Sequence, residues 1–127
     1  MKDDWSVLAE NAMIELVDGK EPFLPNIEIE LSYGHTVGMM LPKLTDGTET
    51  IMYMADLIPM AAHIPLPWIM GYDLNAMKTL EEKSTFLKEA AEKNWLLFFY
   101  HDPKTIAVKI KKSEKYFDII EEYLVNE

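Results

Sequence analysis

Arginine and cysteine are both missing from this 127-residue chain; all twelve basic residues are lysines. Without cysteine there are no disulfides, no thiolate nucleophile and no cysteine-ligated zinc. Without arginine the chain lacks the side chain best suited to bidentate clamping of phosphate or carboxylate. Acidic residues outnumber basic ones 22 to 12, a net charge of −10, which argues against a nucleic-acid partner because phosphate has to be neutralised by basic patches. No run approaches the roughly 20 apolar residues of a membrane span. The N-terminus, Met1-Lys2-Asp3-Asp4, has no apolar stretch behind it, so it does not read as a secretory signal. These absences point to a soluble, acidic, cytoplasmic domain with neither a nucleic-acid nor a membrane partner. What is present is sufficient for a core: 49% of the residues are hydrophobic. The length is that of one domain, residues 1–127.

Along the chain, residues 3–12 fit a short helix with an acidic first turn. Met13 to Val17 reads as a strand ended by the turn signal Asp18-Gly19, and Glu21-Pro22…Pro25-Asn26 as loop. Ile27-Glu28-Ile29-Glu30-Leu31 alternates like a strand with one wet face. Val37 to Leu41 resumes a strand. Thr45-Asp46-Gly47-Thr48 is a hairpin turn, and Thr50 to Ala55 is the next strand. Between 57 and 78, Pro59, Pro65, Pro67 and Gly71 forbid a long regular element in an otherwise apolar stretch. Long loops of this kind often carry function.

Thr79-Leu80-Glu81-Glu82 reads as a capping box opening a helix to about Lys93, with Phe86, Leu87, Ala90 and Ala91 buried. Trp95 to Tyr100 is a continuous apolar run, the pattern of a strand covered on both faces, and Thr105 to Lys111 is an alternating strand. Residues 113–124 read as a closing amphipathic helix. Met39, Met40, Met52, Met54, Met60 and Met70 read as core filler. The order α-β-β-β-β-loop-α-β-β-α gives an α+β class, with a mostly antiparallel sheet and helices to one side.

Three polar residues stand where a strand yields to a turn: His35 between Gly34 and Gly38, Asp56 after Ile51–Ala55, and His101 after Trp95–Tyr100. Imidazole and carboxylate at strand ends are the ligands that zinc, iron or manganese take. The bland alternatives are a turn-stabilising histidine, a carboxylate capping the next turn and a simple strand terminus. His63 and the aromatics Trp68 and Tyr72 of the proline-rich loop are candidates to line a substrate pocket, although packed loop residues have the same appearance.

The words around these positions add to that reading. Tyr33-Gly34-His35-Thr36-Val37-Gly38-Met39, Met54-Ala55-Asp56-Leu57-Ile58-Pro59 and Phe98-Phe99-Tyr100-His101-Asp102-Pro103 resemble, in order, three motifs of the metallo-β-lactamase superfamily. Ala62-His63-Ile64-Pro65-Leu66-Pro67-Trp68…Tyr72-Asp73 and Leu80-Glu81-Glu82-Lys83 resemble a metal-dependent hydrolase branch of it. The resemblance implies that His35 binds a first metal, Asp56 bridges two and His101 binds the second. The metal it implies is a divalent cation, zinc first, with iron or manganese as alternatives. It also implies hydrolysis of an ester, lactone, amide or phosphoester in a small-molecule substrate. Ala55 stands where the family has glycine. The family's H-x-H-x-D-H motif is absent: the only histidines are His35, His63 and His101. The chain therefore resembles the C-terminal half of the family's αββα sandwich, either truncated or split.

Such a half has a sheet face that expects a second sheet. The expected partner is another copy of the chain, as a homodimer, or a separate chain carrying the H-x-H-x-D-H half. The reading from a different class is a non-catalytic oligomeric interaction module with a vestigial site and no metal. The oligomeric expectation is checked by light scattering. An assembly larger than one chain is expected, and a stable monomer contradicts it.

Overall fold

A computed structural model describes residues 5–19 and 23–125 of the chain. A short helix α1 (Ser6–Glu10) precedes strands β1 (Ile27–Ser32), β2 (Met39–Thr45) and β3 (Thr50–Tyr53). A single 3-10 turn (Ala61–His63) and the long helix α2 (Ala76–Lys93) follow, and then β4 (Leu96–Phe98), β5 (Thr105–Lys112) and β6 (Phe117–Leu124). The six strands form one sheet in sequence order, antiparallel except for the parallel pair β3–β4 that α2 connects. No helix among the described residues is long and apolar enough to cross a membrane.

Several sequence readings carry over. The β2–β3 hairpin turns at Asp46-Gly47, where Gly47 takes a positive φ of 90° and Asp46 Oδ1 accepts from the backbone N–H groups of Thr48 and Glu49. Helix α2 stops at Lys93 because Asn94 adopts the left-handed conformation, and it buries Leu87 and Ala90 fully, with Phe86 and Ala91 partly buried.

Other readings are corrected. Residues 13–18 form no strand, and Leu16 and Met13 are exposed. The acidic start of the first helix, Asp3 and Asp4, lies outside the described residues, as do Glu21 and Pro22. The capping box does not form: α2 begins three residues earlier than Thr79, and Asn75 is the cap, its side chain accepting from the Lys78 N–H. Residues 117–124 are strand β6, not helix. The spacing of Phe117, Ile119-Ile120 and Tyr123-Leu124 fits either period. A turn closed by Ser113 N–H on Tyr116 O (2.9 Å) lays the segment against β5, and ladder pairing decides the matter. Met40 is exposed, whereas Met52 and Met54 are fully buried.

Cross-strand register separates two faces. Lys43, Met52, Leu97, Val108 and Glu122 form one row, and its apolar members pack with Leu87 and Ala90 of α2. On the opposite face, Leu44, Ile51, Leu96, Lys109 and Glu121 form one row and Tyr53, Phe98, Ala107 and Tyr123 another. Leu44, Ile51 and Tyr123 there are exposed, and Tyr53, Leu96 and Phe98 are only half-buried. The run at 95–100 is thus covered fully on the helix side alone.

The turn after β1 meets α2 closely at Gly34, where an added Cβ would lie 2.3 Å from both the backbone nitrogen and the hydroxyl of Thr79. Gly34→Ala is expected to cost about 2–3 kcal/mol in urea unfolding because backbone has to give way. Gly71→Ala, which meets nothing within 4 Å, is expected to stay within about 0.5 kcal/mol of wild type. Equal effects at the two positions would contradict this packing.

Candidate functional site

Strand direction collects the three polar candidates. β1 and β3 run the same way because each is antiparallel to β2, and β4 is parallel to β3. All three strands therefore end at one edge of the sheet. His35, Asp56 and His101 each lie three positions beyond the ends of β1, β3 and β4, at Ser32, Tyr53 and Phe98. Tyr53 and Phe98 are register partners, so equal steps bring Asp56 and His101 together. Ala55 makes the turn into Asp56 with φ of 43°, a left-handed conformation that costs a non-glycine residue about 1–2 kcal/mol. Strain at this position gives a physical reason for the glycine of the resembling motif.

The Asp56 carboxylate lies between the two imidazoles. Its Oδ1 is 2.8 Å from His101 Nε2, and its Oδ2 is 3.5 Å from His35 Nε2. Burial, with the nearby Asp56 charge, pushes the Tyr53 hydroxyl up from its ordinary value. On its far side His35 is bonded through Nδ1 to Asp73 Oδ1 at 2.8 Å. The His35 side chain is 12% exposed and that of Asp73 is 0%, whereas His101 is 50% exposed. The site is thus anchored on the His35 side and open on the His101 side.

Each loop is held by charge. Glu82 of α2 accepts from the Ser32 hydroxyl (2.7 Å) and from the N–H groups of Tyr33 and Gly34, fixing the turn that carries His35. The same turn accepts from the N–H groups of Leu74 (to His35 O, 3.2 Å) and Asn75 (to Gly34 O, 2.8 Å). Asp102 accepts from the N–H groups of Lys104 and Thr105 and from that of Ala61, tying the His101 turn to the 3-10 turn. Burial opposes its ionisation, but these backbone bonds outweigh it and hold its carboxyl below the usual value. Lys83, with no exposed surface, donates to the carbonyls of Pro65 (2.7 Å), Leu66 (3.3 Å) and Trp68 (2.9 Å), pinning the proline-rich loop to α2.

Of the pocket candidates, Tyr72 meets the site, its ring edge-on to His35 at 5.8 Å between centroids. Trp68 is largely exposed and is held through its backbone carbonyl. The His63 ring is held down from its ordinary value by burial and the Lys83 charge, and its buried Nδ1 has no partner among the described residues. Asp73, Glu82 and Lys83 carry no spacing signal for these roles. Their partners lie 38, 50 and 15 to 18 residues away along the chain.

The donor set fits part of a metal's coordination sphere. Two imidazoles and a shared carboxylate are the ligand types that zinc prefers, and Asp56 has one oxygen towards each ring. Even so, no group of three or more His, Asp or Glu side chains among the described residues is arranged to hold a metal ion. A catalytic zinc normally has three protein ligands, so these residues alone would not complete one.

No protein-family model and no curated protein matches the sequence. Solved structures do. A probable metal-dependent hydrolase from Staphylococcus aureus superposes with a TM-score of 0.82 at 24% identity, over 92% of this chain and 42% of that one. AidC, a dizinc quorum-quenching lactonase solved with a product, N-hexnoyl-L-homoserine, gives 0.78 at 26% identity, over 93% and 41%. The hydrolase AbOPH of the beta lactamase superfamily gives 0.79 at 14% identity, over 96% and 43%. This chain spans about two fifths of the length of each.

Lys83 generates a test of the loop anchor. Burial pulls its ammonium down to about 8, with attraction to Asp73 opposing the shift. Near neutral pH it therefore keeps the three N–H groups that three carbonyls require. Lys83→Met is expected to cost about 2–4 kcal/mol by leaving those carbonyls unpaired. Because the folded-state value lies below the ordinary 10.5, the unfolded chain binds more protons between the two values. Wild-type stability relative to the methionine variant should therefore rise with pH from about 8 upwards. Denaturant unfolding from about pH 7 to about pH 10 checks the sign, and a flat difference contradicts it.

Proposed function

We propose that this chain, which carries the metallo-β-lactamase superfamily fold over part of that fold's length, supplies the late ligands of a divalent-metal hydrolase centre. His35 and His101 would each offer Nε2 to a cation, and Asp56 would bridge. The observation that carries this reading is the meeting of two imidazoles on the two oxygens of one carboxylate. Zinc suits such a nitrogen and oxygen set best, with iron or manganese as alternatives. A cation bound there supplies Lewis acidity toward the scissile carbonyl or phosphoryl group.

The chain's own residues orient and enclose. Glu82 holds the His35 turn, Asp102 holds the His101 turn, and Lys83 holds the loop whose Tyr72 borders the site. The remaining ligands come from an H-x-H-x-D-H segment on a complementary half, or from a second copy of this chain. That partner would cover the open face of Leu44, Ile51, Leu96, Phe98 and Tyr123. The substrate is a small molecule with a hydrolysable ester, lactone, amide or phosphoester bond. The absence of arginine disfavours strongly anionic substrates. His63 and Trp68 are proposed to contribute to the pocket from the same loop. The composition is that of a cytoplasmic protein.

A second reading is favoured by the lack of a closed group of three ligands among the described residues together with the open apolar face. In it the chain is an oligomeric interaction module whose site is vestigial. Metal analysis of purified full chain separates the two. Bound zinc or manganese that falls at least about tenfold in His35→Ala and His101→Ala supports the metal centre. Background metal that is unchanged by either substitution supports the module. Esterase and lactonase assays, run with and without a complementary H-x-H-x-D-H half, are expected to show activity only when the ligand set is complete.

A further inference from the structure

We infer that Asp73 is the positioning residue for His35, fixing the ring so that its Nε2 lone pair faces Asp56. The inference deepens the metal-centre reading, although its first test does not need a metal. Asp73 Oδ1 lies 2.8 Å from His35 Nδ1, and the carboxylate is completely buried. Its second oxygen is buried with no hydrogen-bond partner among the described residues.

An aspartate that merely caps a turn accepts backbone N–H bonds, as Asp46 does from Thr48 and Glu49 and Asp102 does from Lys104, Thr105 and Ala61. Asp73 accepts none among the described residues; its hydrogen bond goes to the imidazole. Lys83, the buried cation attracted to Asp73, lies one residue from Glu82, which grips the His35 turn from the other side. The backbone on both sides of this contact is already clamped by Leu74 N–H on His35 O and Asn75 N–H on Gly34 O. Tyr72 bounds the ring edge-on. Rotation of the ring is thus restricted, and the bond to Asp73 selects which nitrogen carries hydrogen.

The chemistry follows from that selection. A neutral imidazole that donates Nδ1–H to a carboxylate has an unprotonated Nε2. Here that nitrogen stands 3.5 Å from Asp56 Oδ2, beyond ordinary hydrogen-bond length. Two electron-rich atoms facing each other at that distance are arranged for a cation between them. Carboxylate partners of metal-ligating histidines work in this way, fixing the tautomer and raising ligand basicity.

The test is nitrogen-15 NMR of the imidazole rings in the full chain, at about pH 8.5, two units above the ordinary histidine value. Wild-type His35 is expected as the Nδ1–H form. Asp73→Asn keeps an acceptor oxygen and should preserve that form, whereas Asp73→Ala should release it toward Nε2–H. Zinc titration should then show affinity at His35 lowered roughly 10- to 100-fold in Asp73→Ala and partly rescued in Asp73→Asn. A wild-type ring protonated at Nε2, or an Asp73→Ala ring with an unchanged tautomer, would overturn the inference. If Asp73→Ala does not fold, the wild-type and Asp73→Asn spectra still decide, because Nε2–H in both overturns it. Failure of zinc to perturb His35 and His101 in wild type would sink the metal-centre reading and leave the tautomer result to stand or fall by itself.

Discussion

Glu82 and Lys83 leave α2 one after the other, both buried, and between them they hold two of the three loops from which the site is built. A buried charge is expensive unless its hydrogen-bonding groups are met. Glu82 meets three donors at the end of β1, and Lys83 meets three carbonyls of the proline-rich loop. Each loop would otherwise present unpaired backbone groups to the core edge. The pair converts a helix that covers one sheet face into a clamp on both approaches to His35. The close seating of Gly34 on Thr79 follows from it, since glycine alone lets the His35 turn lie against the start of α2.

Much of this arrangement was legible in the sequence where the signal is local. Alternation marked β1, the apolar stripe marked α2, and Asp46-Gly47 marked the hairpin. The three strand-end residues stood out for the same local reason, and the parallel pairing of β3 with β4 turns that coincidence into proximity. Strand β6 was not legible because its apolar spacing serves a helix equally well, and only its pairing with β5 decides. The capping role of Thr79 failed because Asn75 lies earlier with the better geometry and Glu82 is used elsewhere. Asp73 could not be singled out for a role, since its partner lies 38 residues back and no spacing rule links them.

In the proposed account the open sheet face has the same character as the site, each being incomplete among the described residues. Leu44, Ile51, Leu96, Phe98 and Tyr123 form rows that another layer would bury, and the sheet ends in β6, most of whose residues are exposed. The matched structures are each more than twice as long as the portion this chain covers. In the proposed account a single partner resolves both deficits, covering the face and completing the ligand set. The ligands held here would be the rigid part of that centre, with His35 nearly buried and braced on two sides.

The central claim, that His35 and His101 each bind a cation and Asp56 bridges the two, is tested most directly by cadmium-113 NMR of nitrogen-15-labelled full chain. Scalar coupling from bound cadmium to Nε2 of both His35 and His101 is the expected result. A cadmium signal that lacks both couplings and is unchanged in Asp56→Ala would contradict it.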